Sequence, residues 1–141
     1  MNDLQRAQAC GDAMMAADKA SQMLGITVEI PAVGQAIATM RVREDMVNGF
    51  NICHGGLVFA LADTAFAFAC NAYDDLTVAG SGHIEFLRPA NLNDVLTATA
   101  HEEQRSGRNG FYTIEVHNQE GILISLFRGR SVSKGQPLLD D

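Results

Sequence analysis

The sequence predicts an α+β fold in which a curved antiparallel sheet wraps one long, central, buried helix. Three observations predict it. From about Gly56 to Asn71 the chain is apolar, interrupted by one acid, Asp63, and a helix apolar all round belongs inside a core. Four strand signals follow, at Val78–Arg88, Asp94–Gln104, Gly110–Asn118 and Ile122–Val132. The last three are joined by Ser106-Gly-Arg-Asn-Gly110 and Asn118-Gln-Glu-Gly121, turn-rich pieces that read as hairpins.

The earlier elements fit around that centre. Residues 3–24 are rich in Ala, Met and Gln without a β-branched run, and predict a helix ending at Gly25. Ile26–Ile30 reads as a short strand stopped by Pro31. From Gln35 to Arg43 the chain alternates, with Ala38, Met40 and Val42 on one face and Thr39, Arg41 and Arg43 on the other. That is a half-buried strand. The tail, 135–141, reads as loose. No repeat or domain boundary interrupts the chain, so its 141 residues predict a single domain. An open sheet of this kind has edges that invite pairing with a second copy.

A net charge of −7 argues against a nucleic-acid binder or an anionic membrane surface. Five of the ten basic residues, Arg105, Arg108, Arg128, Arg130 and Lys134, lie in the last quarter, where a local patch for a phosphorylated ligand could form. The three cysteines have no close-paired spacing, so neither a disulfide framework nor a zinc site is expected. Charges near the N-terminus disfavour a secretory signal, and the Leu57–Cys70 run is too short to cross a bilayer. The expected compartment is the cytoplasm, and no metal or redox cofactor is implied.

Chemistry concentrates between Asn48 and Asp63. His54-Gly55-Gly56 opens the long helix, and free N–H groups at a helix start favour a developing negative charge. A carboxylate among alanines and phenylalanines is costly unless something uses it. Together they suggest a site for attack on a carbonyl. Gly55 and Asp63 are eight residues apart, about 12 Å along a helix. Asp63 therefore cannot reach a carbonyl held by its own helix start, and the site is expected to combine Gly55 of one chain with Asp63 of another. Cys53 beside His54 reads as a small core residue rather than a nucleophile. Arg128 and Arg130 share a strand face and are candidates for binding phosphate groups.

Four segments carry a resemblance: Asn48-Gly-Phe-Asn-Ile-Cys-His-Gly-Gly56, Leu61-Ala-Asp-Thr-Ala-Phe-Ala-Phe-Ala-Cys-Asn71, Phe86-Leu-Arg-Pro-Ala90 and Phe127-Arg-Gly-Arg-Ser131. In order and spacing over residues 10–134 the chain resembles the hotdog-fold acyl-CoA thioesterases, most closely the phenylacetate-degradation (PaaI-type) group. The resemblance implies hydrolysis of an aryl-acetyl-CoA or hydroxyphenylacetyl-CoA, releasing CoA from stalled intermediates of phenylacetate breakdown. It implies that the Gly55 N–H polarises the thioester oxygen and that Asp63 is general base or nucleophile. Asn48 would hold the carbonyl or the attacking water, and His54 would fix the loop and assist at the carbonyl. Members often add a hydroxyl that positions water, for which Thr64 is the candidate; Ser81 and Ala79 compete for the family's position. Gly56, Phe66, Arg88, Arg128 and Arg130 are the candidate substrate-binding residues. The implied assembly is a homodimer with shared sites, paired into a homotetramer. Other acyl groups, a hydratase and a non-catalytic acyl-CoA sensor are the alternatives.

Overall fold

The computed structural model describes residues 1–140. Two helices, α1 (Asp3–Ala17) and α2 (Lys19–Met23), precede strands β1 (Thr27–Glu29) and β2 (Gln35–Arg41). Helix α3 (Gly55–Cys70) follows, then β3 (Thr77–Phe86), β4 (Val95–Ser106), β5 (Asn109–His117) and β6 (Leu123–Ser133). The strands form one antiparallel sheet in the order β1-β2-β4-β5-β6-β3, with α3 packed on its inner face.

Small residues let the helix come close. Ala36 and Ala38 of β2 lie opposite Ala100 and Ala98 of β4, all four fully buried. Beyond β5, Gly129 of β6 leaves room for the Phe66 ring: a Cβ there would sit 2.7 Å from it. Phe66 is buried against Tyr112 and Phe127, and such burial stabilises by about 1.5–3 kcal/mol.

The expected N-terminal helix is two helices. Asp18 leaves helical geometry, and its carboxylate accepts from the Ser21 N–H at 3.0 Å and the Ser21 hydroxyl at 2.6 Å. Local side-chain bonding of this kind competes with a continuous helix. Gly25 ends α2 at φ 70°, a left-handed cap suited to glycine.

Helix α3 is not enclosed on every side. Val58, Leu61, Ala62, Ala65 and Ala69 are buried, whereas Phe59, Ala60, Asp63, Thr64 and Ala67 form a half-open stripe. Strand β3 pairs only with β6 and is exposed along most of its length.

Residues 135–139 of the tail are anchored, contrary to the loose segment expected, and Asp141 lies outside the described residues. The Leu76 N–H donates to the Gln136 carbonyl and the Lys134 N–H to the Leu76 carbonyl, both at 2.8 Å. The Asp74 carboxylate accepts from the N–H groups of Leu138 (3.0 Å) and Leu139 (2.7 Å).

Candidate active site

His54 caps α3. Its Nδ1 accepts from the Gly56 N–H at 2.9 Å, which places the proton of the neutral ring on Nε2. The Leu57 and Val58 N–H groups turn back to the His54 carbonyl at 2.9 and 3.3 Å. That leaves Gly55, the first helical residue, as the one first-turn N–H without an acceptor among the described residues. An unpaired N–H at the positive end of a 16-residue helix is a preorganised anion donor.

Gly55 faces a cavity of about 450 Å³ shared with Asn48, Cys53, Phe86, Arg88 and Ala90. Asn48 lies in a tight turn in which its Oδ1 accepts from the Phe50 N–H (2.9 Å) and the Ile52 N–H (3.4 Å). With the oxygen engaged, the amide NH2 is the end left for other partners. Arg88 stands on the same cavity and donates from Nη1 to the Leu123 carbonyl at 3.0 Å. Asn48, Gly55 and Arg88 are therefore brought together.

Asp63 opens on a different cavity, of about 480 Å³, together with Phe66, Ala67 and Cys70 of α3 and with Thr77, Val78 and Ala79 of β3. Burial pushes its carboxyl above the ordinary range, since a partly dry, apolar setting disfavours the charged form. Asn71 fixes the strand beside it: its amide donates to the carbonyls of Ala67 (2.9 Å) and Thr77 (3.0 Å), while its oxygen accepts from the Thr77 N–H at 2.9 Å. Within one chain, Asp63 and Gly55 do not share a cavity.

The other candidates divide. Phe66 lines the Asp63 cavity although its ring is almost wholly core. Thr64 lines neither cavity; its hydroxyl donates to the Ala60 carbonyl of its own helix at 2.7 Å. Gly56 spends its N–H on the His54 cap and stands outside both. Arg128 and Arg130 line a third cavity of about 630 Å³ with Ser81, His83 and Phe111. Arg130 also donates to Asn109 Oδ1 at 2.9 Å. Sequence reasoning did not single out Thr77, Met14 or Leu138 as site residues, yet all three line the Asp63 cavity. Cys53 forms no thiol–imidazole pair: its thiol donates to the His54 carbonyl at 3.7 Å, and burial pushes it up to about 11.

Among the described residues there is no group of three or more His, Cys, Asp or Glu placed to hold a metal. No helix among them is long and apolar enough to cross a membrane.

The thioesterase superfamily matches residues 50–125. The chain is 44% identical over 119 residues to the acyl-coenzyme A thioesterase PaaI of Escherichia coli (strain K12), covering 84% of this chain and 85% of that protein. The solved structure of the E. coli PaaI protein from the phenylacetic acid degradation operon superposes with a TM-score of 0.94 over 96% of this chain and 99% of that one, at 40% identity. A mutant of the phenylacetic acid degradation protein PaaI from Thermus thermophilus gives a TM-score of 0.78 at 35% identity, over 82% of this chain and 98% of its own. The chain belongs to the thioesterase superfamily and has the hotdog fold.

Proposed function

We propose that the protein is a PaaI-type acyl-CoA thioesterase that hydrolyses aryl-acetyl-CoA, including hydroxylated phenylacetyl-CoA, to the free acid and CoA. The observation that carries the mechanism is the unpaired Gly55 N–H at the start of α3, with a desolvated carboxylate farther along the same helix. The two groups are complementary in chemistry but open on separate cavities. The working site accordingly takes Gly55 and Asn48 from one subunit and Asp63 from its partner.

In that site the Gly55 N–H and the helix dipole accept charge that builds on the thioester oxygen during attack. Asp63 removes a proton from water as the water oxygen bonds to the carbonyl carbon, or attacks that carbon first through its own oxygen, in which case water cleaves the resulting anhydride after CoA has left. Collapse of the tetrahedral species breaks the carbon–sulfur bond. CoA leaves as a thiolate, which takes up a proton and needs no strong acid to depart. The apolar Asp63 cavity suits the aryl-acetyl group. Arg88, at the Gly55 cavity, suits the negatively charged CoA portion. His54 acts as the helix cap that leaves the Gly55 N–H free.

The features supporting a dimer are the unpaired edge of β3, the exposed Val78, Phe86 and Leu87 along and beside it, and the half-open stripe of α3. Pairing of such dimers into a tetramer and a cytoplasmic location complete the proposal.

The test is thiol release from a panel of phenylacetyl-, hydroxyphenylacetyl-, benzoyl-, crotonyl- and fatty-acyl-CoAs, with Asp63→Asn beside the wild type. Turnover led by the aryl-acetyl members and lost in the variant is expected. Turnover that survives Asp63→Asn would sink the mechanism, and saturable binding without any turnover would sink the activity.

A further inference from the structure

The Asp63 cavity has a wall from an unexpected place. The chain leaves β6, turns at Gly135 (φ 69°) and doubles back over residues 74–76. Paired backbone bonds between Leu76 and the segment 134–136 begin the attachment, and Asp74 completes it by accepting both the Leu138 and Leu139 N–H groups. Asp74 does so from a left-handed backbone (φ 53°), a conformation that Asp and Asn tolerate better than most residues. The result is that Leu138, half-buried, stands in the cavity that holds Asp63, as does Met14 of α1.

We propose that Leu138 is a specificity-determining residue, a fixed apolar wall that limits the size of acyl group the site accepts, with Asp74 as the positioning residue that holds it there. This rests on the assignment of Asp63 as the base or nucleophile, because it is proximity to Asp63 that makes the cavity the acyl pocket. Two features carry it. The cavity is predominantly apolar apart from Asp63, Thr77 and Asn71, and the latter two already bond within the protein. In addition, the Leu138 N–H and the neighbouring Leu139 N–H both donate to Asp74, so the Leu138 side chain stands on an anchored backbone and not on a loose tail, and its methyl groups can reject an oversized acyl group.

The experiment compares kcat/KM for phenylacetyl-CoA and 4-phenylbutanoyl-CoA in the wild type, Leu138→Ala, Asp74→Ala, Asp74→Asn and Asp63→Asn. Leu138→Ala removes three carbons from the wall, and a pocket discriminates on the order of 10-fold or more per methylene. The ratio favouring the longer acyl group is therefore expected to rise at least about tenfold in that variant. Asp74→Ala is expected to shift it the same way. Asp74→Asn, which keeps the acceptor oxygen and the left-handed backbone, is expected to retain the wild-type ratio; that rescue is not expected of a general loss of folding. If Asp63→Asn abolishes turnover while Leu138→Ala leaves the ratio within twofold, the Leu138 assignment is overturned alone. If Asp63→Asn keeps its turnover, the Asp63 assignment fails and this proposal with it.

Discussion

Replacing Gly55 with proline removes the N–H from the proposed site and sets the ring Cδ in its place. Gly55 is the first residue of α3, and its N–H is the first-turn donor without an acceptor. Proline is favoured at that position because the missing N–H is unpaired anyway and the ring's fixed φ suits the helix. The preceding residue, His54, already has φ −56° and ψ 130°, the extended conformation that proline demands of its neighbour. The nearest atoms to a new Cβ belong to the Phe86 ring, at 3.2 Å, the far end of a side chain 55% exposed in the single chain. The fold should therefore survive, with about 0.4–1 kcal/mol gained from a less flexible unfolded chain.

Catalysis should not survive. Loss of one oxyanion donor costs roughly 10²–10³ in kcat, about 2.7–4 kcal/mol of barrier. Gly55→Ala keeps the N–H and adds the same Cβ, so it controls for crowding against Phe86. Steady-state thiol release with phenylacetyl-CoA, beside urea unfolding, reads both effects. A proline variant within threefold of wild-type kcat would refute the oxyanion assignment. An alanine variant as impaired as the proline one would shift the cause from the N–H to the contact with Phe86.

Mixing offers a test of the shared site: Gly55→Pro and Asp63→Asn, each inactive alone, should recover about one quarter of wild-type activity after equal mixing and subunit exchange. Random assortment makes half the dimers mixed, and each mixed dimer carries one intact site of two; no recovery after demonstrated exchange would place both groups in one chain. Because burial raises the folded pKa of Asp63 above its ordinary value near 3.8, kcat/KM should rise with pH through a point above the usual aspartate range. By the same linkage, the stability due to Asp63 is fully present below about pH 4 and lost as pH rises through the raised folded pKa. Asp63→Asn should therefore unfold at higher urea than wild type at pH 7 and lose this advantage near pH 4; an advantage that grows on acidification would contradict the burial argument. His54→Ala removes the cap on Gly56 and should cost about 0.5–2 kcal/mol in urea unfolding, with a smaller loss of kcat than Gly55→Pro. Thr64→Val should keep kcat within about twofold, as expected of a hydroxyl turned onto its own helix.

The legible parts of the chain were those decided by periodicity over many residues. The alternation around Ala38, Met40 and Val42 is the burial pattern of β2 and the residues after it, and the apolar run after His54 is α3. The break at Asp18 was hidden because an aspartate inside a helical pattern costs little on average, and only its bonds to Ser21 show that it caps a new helix. The tail was hidden because its anchor is long-range: Asp74 binds main-chain groups 64 and 65 residues away, which no local pattern announces. Of the candidate residues, Gly55 and Asp63 were marked by an unusual residue type at a helix start or in an apolar run, and Asn48 by its spacing to His54 in the family resemblance. Arg128 and Arg130 do share a face, as their spacing of two required, but spacing could not say that this face lines neither the Gly55 nor the Asp63 cavity.

The two halves of the proposed site lie toward opposite ends of one strand. Thr77, Val78 and Ala79, at the start of β3, line the Asp63 cavity, whereas Phe86, at its end, lines the Gly55 cavity and lies over that glycine. Left unpaired, the outer edge of a ten-residue strand is a liability. If two copies cover it by pairing β3 with itself, two-fold symmetry makes the pairing antiparallel, and the start of one strand meets the end of the other. That one operation hides the edge and brings the Asp63 cavity of each subunit beside the Gly55 cavity of its partner. It also reconciles the roughly 12 Å along α3, too far for a single-chain site, with chemistry that needs both groups within hydrogen-bond reach of one carbonyl. Assembly and catalysis would then depend on the same strand, and a substitution that blocks β3 pairing would abolish turnover without touching either Gly55 or Asp63.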